Sequence, residues 1–197
     1  MNLVARAQGI LIKPKDEWVK IKDEPTTVQQ LFTQYAVILA AIPAVAQFIG
    51  TALFIGFRIP GGGGSWMARA FFYAVFSYIL NLAAVYALGF IINALAPNFS
   101  STQDLTKAMK LSVYSMTPAW IAGIFHLIPS LWVLSLLGSL YGLYILYLGF
   151  NMPLMGTPKE KTTGYFVISL VVAVVLMVVI GLILQAAFAI RGIMTVF

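Results

Sequence analysis

Five stretches of the chain are almost continuously apolar, at about 31–57, 66–95, 107–127, 130–152 and 164–190. Each is long enough to cross the roughly 30 Å hydrocarbon core of a bilayer as a helix. The pattern predicts an all-α polytopic membrane protein with five transmembrane helices. Short links join them: RIPGGGGS, PNFSSTQDLT, a turn at Pro129, and PLMGTPKEKTT. The first thirty positions follow another rule. Leu3, Ala7, Ile10 and Leu11 fall at helical spacing, which predicts an amphipathic helix over 2–12 lying along the membrane surface. Pro14 suits the first turn of a second short helix, KDEWVKIK, with Trp18 as an interfacial anchor, and Pro25 ends it. Thr26 with Gln29, or Thr27 with Gln30, has capping-box spacing and marks the start of the first span. The expected organisation is an N-terminal segment, 1–30, followed by a five-helix domain, 31–197.

Composition agrees with a membrane address. Hydrophobic residues make up 61% of the chain and charged residues 9%, against about 25% charged in a soluble domain. The net charge of +6 would suggest nucleic acid in a soluble protein. Here the bases sit beside apolar spans, so they report orientation and no nucleic-acid partner is expected. With the N-terminus cytoplasmic, the inner segments hold Arg6, Lys13, Lys15, Lys20, Lys22, Lys107, Lys110, Lys159 and Lys161, and the outer ones only Arg58, Arg69 and Arg191. Nine against three predicts N-terminus in and C-terminus out. The first dozen residues do not read as a secretory signal, since Arg6 interrupts the apolar stretch and no small-residue cleavage site follows.

In the fourth span Gly138, Gly142 and Gly149 fall on one narrow helical stripe, while Tyr141, Tyr144, Tyr147 and Phe150 wrap around the rest. Small residues let helix backbones approach in lipid, so the glycines are expected to be a packing seam, within one chain or between copies. Tyr147 and Phe150 suit an aromatic belt. Gln47, Asn81, Thr117 and Tyr141 lie at similar depths, and Pro43 and Pro118 interrupt the first and third spans. A midplane polar cluster beside broken helices is how many transporters build a binding site; the alternative is interhelical hydrogen bonding. "IPAVAQFIG" and "TPAWIAGIF" share a Pro-Ala step on helices running the same way, a faint internal repeat.

Enzymatic chemistry has little to work with. No Asp, Glu, Lys or Arg lies mid-span, so no intramembrane carboxylate pair or proton relay is expected. The single histidine, His126, rules out a histidine-rich metal cluster, and the absence of cysteine removes thiolate chemistry. GGGG at 61–64 lacks the Lys and Ser/Thr of a phosphate loop and reads as a flexible turn. No catalytic, cofactor or metal residue is assigned. The N-terminal segment, with Trp18 and the mixed charges of KPKDEWVKIKDE, reads either as a docking platform for a cytosolic protein or as a helix resting on anionic lipid.

"GILIKPKDEWVKIKDEPTT", "YAVILAAIPAVAQFIG", "YSMTPAWIAGIF" and "LYGLYILYLGF" together resemble bacterial members of the Yip family, small membrane proteins related to the Ypt/Rab-interacting proteins. The resemblance runs from about Ile10 to the middle of the fifth span. It implies a bacterial inner-membrane location, five transmembrane helices, a cytosolic N-terminus and no catalytic residues. The Asp-Leu-Tyr-Gly-Pro motif of eukaryotic relatives is absent; LYG occurs only at Leu140–Gly142, inside a span, so Rab binding is not carried over. The expected function is a non-enzymatic scaffold or adaptor acting through the bilayer, a second copy, or another membrane or cytosolic protein. The alternative is a permease or channel for a neutral or weakly charged solute.

Overall fold

A computed structural model describes residues 2–56, 65–152 and 154–194, and every regular element among them is helical. The glycine turn at 61–64 and Arg58 lie outside the described residues, as does the side chain of Arg191. Two short helices, α1 (Leu3–Ile12) and α2 (Pro14–Asp23), form an N-terminal hairpin. Asn2 caps α1 by accepting from the Ala5 N–H, and Pro14 occupies the first turn of α2, where its missing N–H removes nothing. After Pro25, Thr27 and Gln30 form a reciprocal capping box, which selects the second of the two registers the sequence allowed. The first long helix then runs through α3 (Val28–Leu31), a π turn (Phe32–Ala36) and α4 (Val37–Gly56).

The remaining elements are α5 (Ser65–Leu95), α6 (Leu105–Ser115), α7 (Thr117–Ala122), α8 (Trp132–Asn151) and α9 (Lys159–Met194). Among the described residues four helices are long and apolar enough to cross a membrane: Val28–Phe54, Trp66–Phe99, Pro129–Asn151 and Lys159–Ile183. The third apolar stretch, expected as one helix over 107–127, is instead α6, a break at Met116, α7 and a 3-10 segment (Gly123–Leu127). Proline is the cause. Pro118 has no N–H to return to the Tyr114 carbonyl, and the Thr117 hydroxyl donates to that carbonyl instead, at 2.7 Å. A break of this kind is tolerated at membrane depth only inside protein. All of Ala108–Ser115 is buried accordingly, with α5, α8 and α3 packed around it.

The glycines of α8 lie along this broken segment. A Cβ at Gly142 would stand 2.8 Å from the Ser115 carbonyl oxygen. One at Gly138 would overlap Ala122 and come within 2.9 Å of the Pro118 carbonyl oxygen, and one at Gly149 would stand 2.6 Å from Leu111 and 2.7 Å from Trp18. Nearby, Ser135 donates to the Ala122 carbonyl at 3.1 Å. The first Pro-Ala step packs against the 3-10 segment that follows the second: a Cβ at Gly123 would lie 2.5 Å from Pro43, and His126 hydrogen-bonds the Pro43 backbone. Of the expected aromatic belt, Tyr147 is exposed but Phe150 is not; it is buried against Tyr165 and Phe166.

These contacts set an expectation for stability. Gly142→Leu forces a branched side chain against backbone and should destabilise by about 1–3 kcal/mol or more, visible as lost monodisperse yield in mild detergent. Tyr147→Phe, at an exposed ring with no hydroxyl partner in the core, should leave the yield unchanged. Equal behaviour of the two variants would contradict the close approach at Gly142.

A candidate contact site at the N-terminal hairpin

Most of the charge in the N-terminal segment was expected to face water or lipid, and part of it does the opposite. Arg6 is 9% exposed and Glu17 is buried with it. The Arg6 guanidinium pairs with the carboxylates of Glu17 and Glu24 and lies over the Tyr114 ring, 5.7 Å from its centroid. Lys110, 4% exposed and midway along α6, donates from Nζ to the Ile21 carbonyl at 2.7 Å and the Glu24 carbonyl at 2.6 Å. Two cations thus hold the carboxylates and the end carbonyls of α2, and the hairpin is fastened to α6. Buried charges persist where each is paired and hydrogen-bonded.

Trp18 is the main correction. Expected as an outward anchor and contact residue, it is 1% exposed. Its indole N–H donates to the Ile145 carbonyl at 3.1 Å, and its ring fills the space above Gly149 and meets Tyr114 edge-on. On α2 the residues Glu17, Trp18 and Ile21 share the buried face, which leaves Lys15, Val19 and Lys22 outward. Sequence reading placed the tryptophan at the interface because a Trp beside mixed charges is usual there. The Gly149 gap that receives it lies far off in the chain, and the facing Leu111 could not be paired with it by spacing.

The four midplane residues do not form one cluster. Asn81 accepts from the Trp120 indole N–H at 2.8 Å. Thr117, having given its proton to Tyr114, accepts from the Tyr35 hydroxyl at 2.8 Å. Tyr141 reaches outward to the hairpin and donates to the Leu11 carbonyl at 2.9 Å. Gln47 is half-buried on α4 and bonds to none of these three. Each polar group satisfies a local need created by a broken helix or a buried ring, so they point to different partners. Among the described residues no three His, Cys, Asp or Glu gather to hold a metal. Sequence reading missed Arg6, Glu17, Glu24, Lys110, Tyr35 and Tyr114; the signal available was an arginine at helical spacing among apolar residues on α1.

Removing one partner of the buried network should be costly. Arg6→Ala leaves buried Glu17 with only the exposed Lys20 and should lower stability by about 3–5 kcal/mol, measured by tryptophan fluorescence in a denaturant titration of the detergent-solubilised protein. Replacing both partners, Arg6→Met with Glu17→Met, should recover most of that loss. A loss for Arg6→Ala below about 1 kcal/mol would place the pair in a hydrated setting.

The Yip1 domain family matches residues 9–182. The chain is 32% identical over 148 residues to Inner membrane protein YohC of Escherichia coli strain K12, covering 72% of this chain and 74% of that protein. The same identity and coverage hold for Inner membrane protein YohC of Escherichia coli O6:H1 strain CFT073. No solved structure matches. With the family match covering most of its length and an all-helical, multi-pass membrane architecture, the chain belongs to the Yip1 domain family of membrane proteins.

Proposed function

We propose that this protein is a non-enzymatic membrane scaffold or adaptor that works through helix packing and through contacts made by its N-terminal hairpin. The observation that carries this reading is how the polar groups inside the bundle are used. Tyr35, Thr117, Asn81 and Trp120 are engaged with one another or with backbone, so they leave no shared polar lining for a solute. A cavity of about 220 Å3 between α4 and α5 has apolar walls, including Ala41, Ala44, Phe48 and Phe71, and lies beside exposed Val45 and Val75. Such a cavity suits lipid, not a polar substrate. In this reading Gly138, Gly142 and Gly149 are a packing seam within the chain, and the hairpin's outer face, including Lys15, Val19 and Lys22, is the contact surface in place of Trp18.

The reading includes topology. Residues 105–127 span roughly 35 Å at 1.5 Å per residue, enough to cross once despite the break. Counting that segment gives five crossings, with the N-terminus cytoplasmic and the C-terminus outside, as the lysine distribution favours.

Two measurements check this. In the cysteine-free chain, single cysteines replacing Gln103 and Ser130, both exposed, should label from opposite faces of the membrane, Ser130→Cys from outside. Labelling from one face would remove the third crossing. Proteoliposomes should show no solute flux above protein-free vesicles, whereas a photoreactive side chain at Val19 in native membranes should give a discrete adduct. Flux abolished by Asn81→Leu would replace the adaptor reading with the permease.

A further inference from the structure

The hairpin's outer face has a deepest point, and its surroundings identify what it meets. Along the first long helix the exposed residues change from Gln29, Gln30, Thr33 and Gln34 to Val37 and Ile38. Along α8 they change from Tyr144 and Tyr147 to Leu140, Leu137 and Leu136. Two cross-links put these changes at one level. The Tyr35 hydroxyl meets Thr117, and Gly142 lies against the Ser115 carbonyl two residues away on the same segment. On both helices the exposed surface thus turns from polar or aromatic side chains to aliphatic ones near Tyr35 and Tyr141–Tyr144, where the aliphatic belt begins.

The turn between α1 and α2 sits at that level. Its Leu11 carbonyl accepts from Tyr141, whose ring stacks 5.8 Å from exposed Tyr144. Ile12, at the turn, is 74% exposed, the most exposed large apolar side chain among the described residues. Lys13 and Lys15 flank it, both exposed and neither ion-paired among the described residues, whereas Lys20 farther along pairs with Glu17. Asp16 is the one exposed acid on the same turn, so the tip keeps a net positive charge. An apolar side chain beside unpaired lysines, continuous with the lipid-facing belt of α8, matches the surface of an anionic bilayer in both parts.

We propose that this tip is a site for anionic phospholipid: Ile12 enters the acyl region beside Leu140 and Tyr144, and Lys13 and Lys15 take the phosphate-bearing headgroup. The inference rests on the contact reading above and names the partner of one part of the hairpin. The far end of α2, at Lys22 and Glu24, stands away from that level, because Lys110 holds it beyond Tyr114 on the α6 side.

The test uses the full-length chain with Ile12→Cys as its single cysteine, carrying an environment-sensitive fluorophore, in phosphatidylcholine vesicles. A fixed fraction of the lipid bears a nitroxide high on the acyl chain, with either a phosphoglycerol or a phosphocholine headgroup. Both should quench, and the phosphoglycerol lipid more strongly at low salt, with the preference fading as salt rises. Lys13→Gln with Lys15→Gln should reduce the preference by about fivefold per lysine, and Lys22→Gln should leave it intact. Equal quenching by the two lipids, or a preference that survives the double substitution, overturns the headgroup site. No quenching by either lipid places the tip in water and overturns the inference entirely. A photoreactive group at position 12 in native membranes separates the failures. A protein adduct there ends the lipid assignment but keeps the contact reading, and no adduct at positions 12 or 19 ends both.

Discussion

The rest of this structure depends on the break in its third apolar segment. A proline at position 118 leaves the Tyr114 carbonyl without its helical donor, and lipid offers no substitute. The chain answers locally, with the Thr117 hydroxyl on that carbonyl and Tyr35 completing Thr117. It also answers globally, by surrounding α6 with protein so completely that Ala108–Ser115 has no exposed residue. A segment that cannot face lipid must be central, and its neighbours are arranged around it.

That demand explains the glycines. To close over a segment whose backbone is irregular, α8 must approach its carbonyls directly, at Ser115 and Pro118, and only a residue without a Cβ allows it. It also explains the hairpin. The side of α6 left open between α3 and α8 carries Tyr114 and Lys110, and α1–α2 covers both, with Arg6 over the ring and the end carbonyls of α2 on the ammonium. A charged N-terminal segment thus becomes part of the core at its inner face while its outer face remains available. Burying Arg6 and Glu17 together is tolerable because the same carboxylate also meets Lys20. Trp18 fills the space that Gly149 leaves, and so joins the fourth span to the hairpin.

The consequence for function is a division of faces. Thr117, Tyr35, Asn81 and Trp120 inside the bundle are engaged with one another or with backbone, while the outer surface of the long helices is apolar and the hairpin presents lysines with isolated apolar residues. Membership of the Yip1 domain family fits such a molecule, since the relationship extends over the hairpin's second half and the bundle alike.

The sequence by itself determined the membrane class, four of the long helices, the hairpin's two helices and the capping box at Thr27, because these follow from local periodicity, proline placement and caps. The glycine stripe of α8 was also legible, since one helix projects its own face. Tertiary structure alone decided which side of the hairpin faces inward. Trp18 and Arg6 each had a reasonable reading at the surface, and their burial depends on Gly149, Tyr114 and Glu24 arriving from separate elements. Depth along a span likewise suggested that Asn81, Thr117 and Tyr141 gather. Depth fixes one coordinate only; rotation about each helix axis, set by packing, sent them to Trp120, Tyr35 and Leu11.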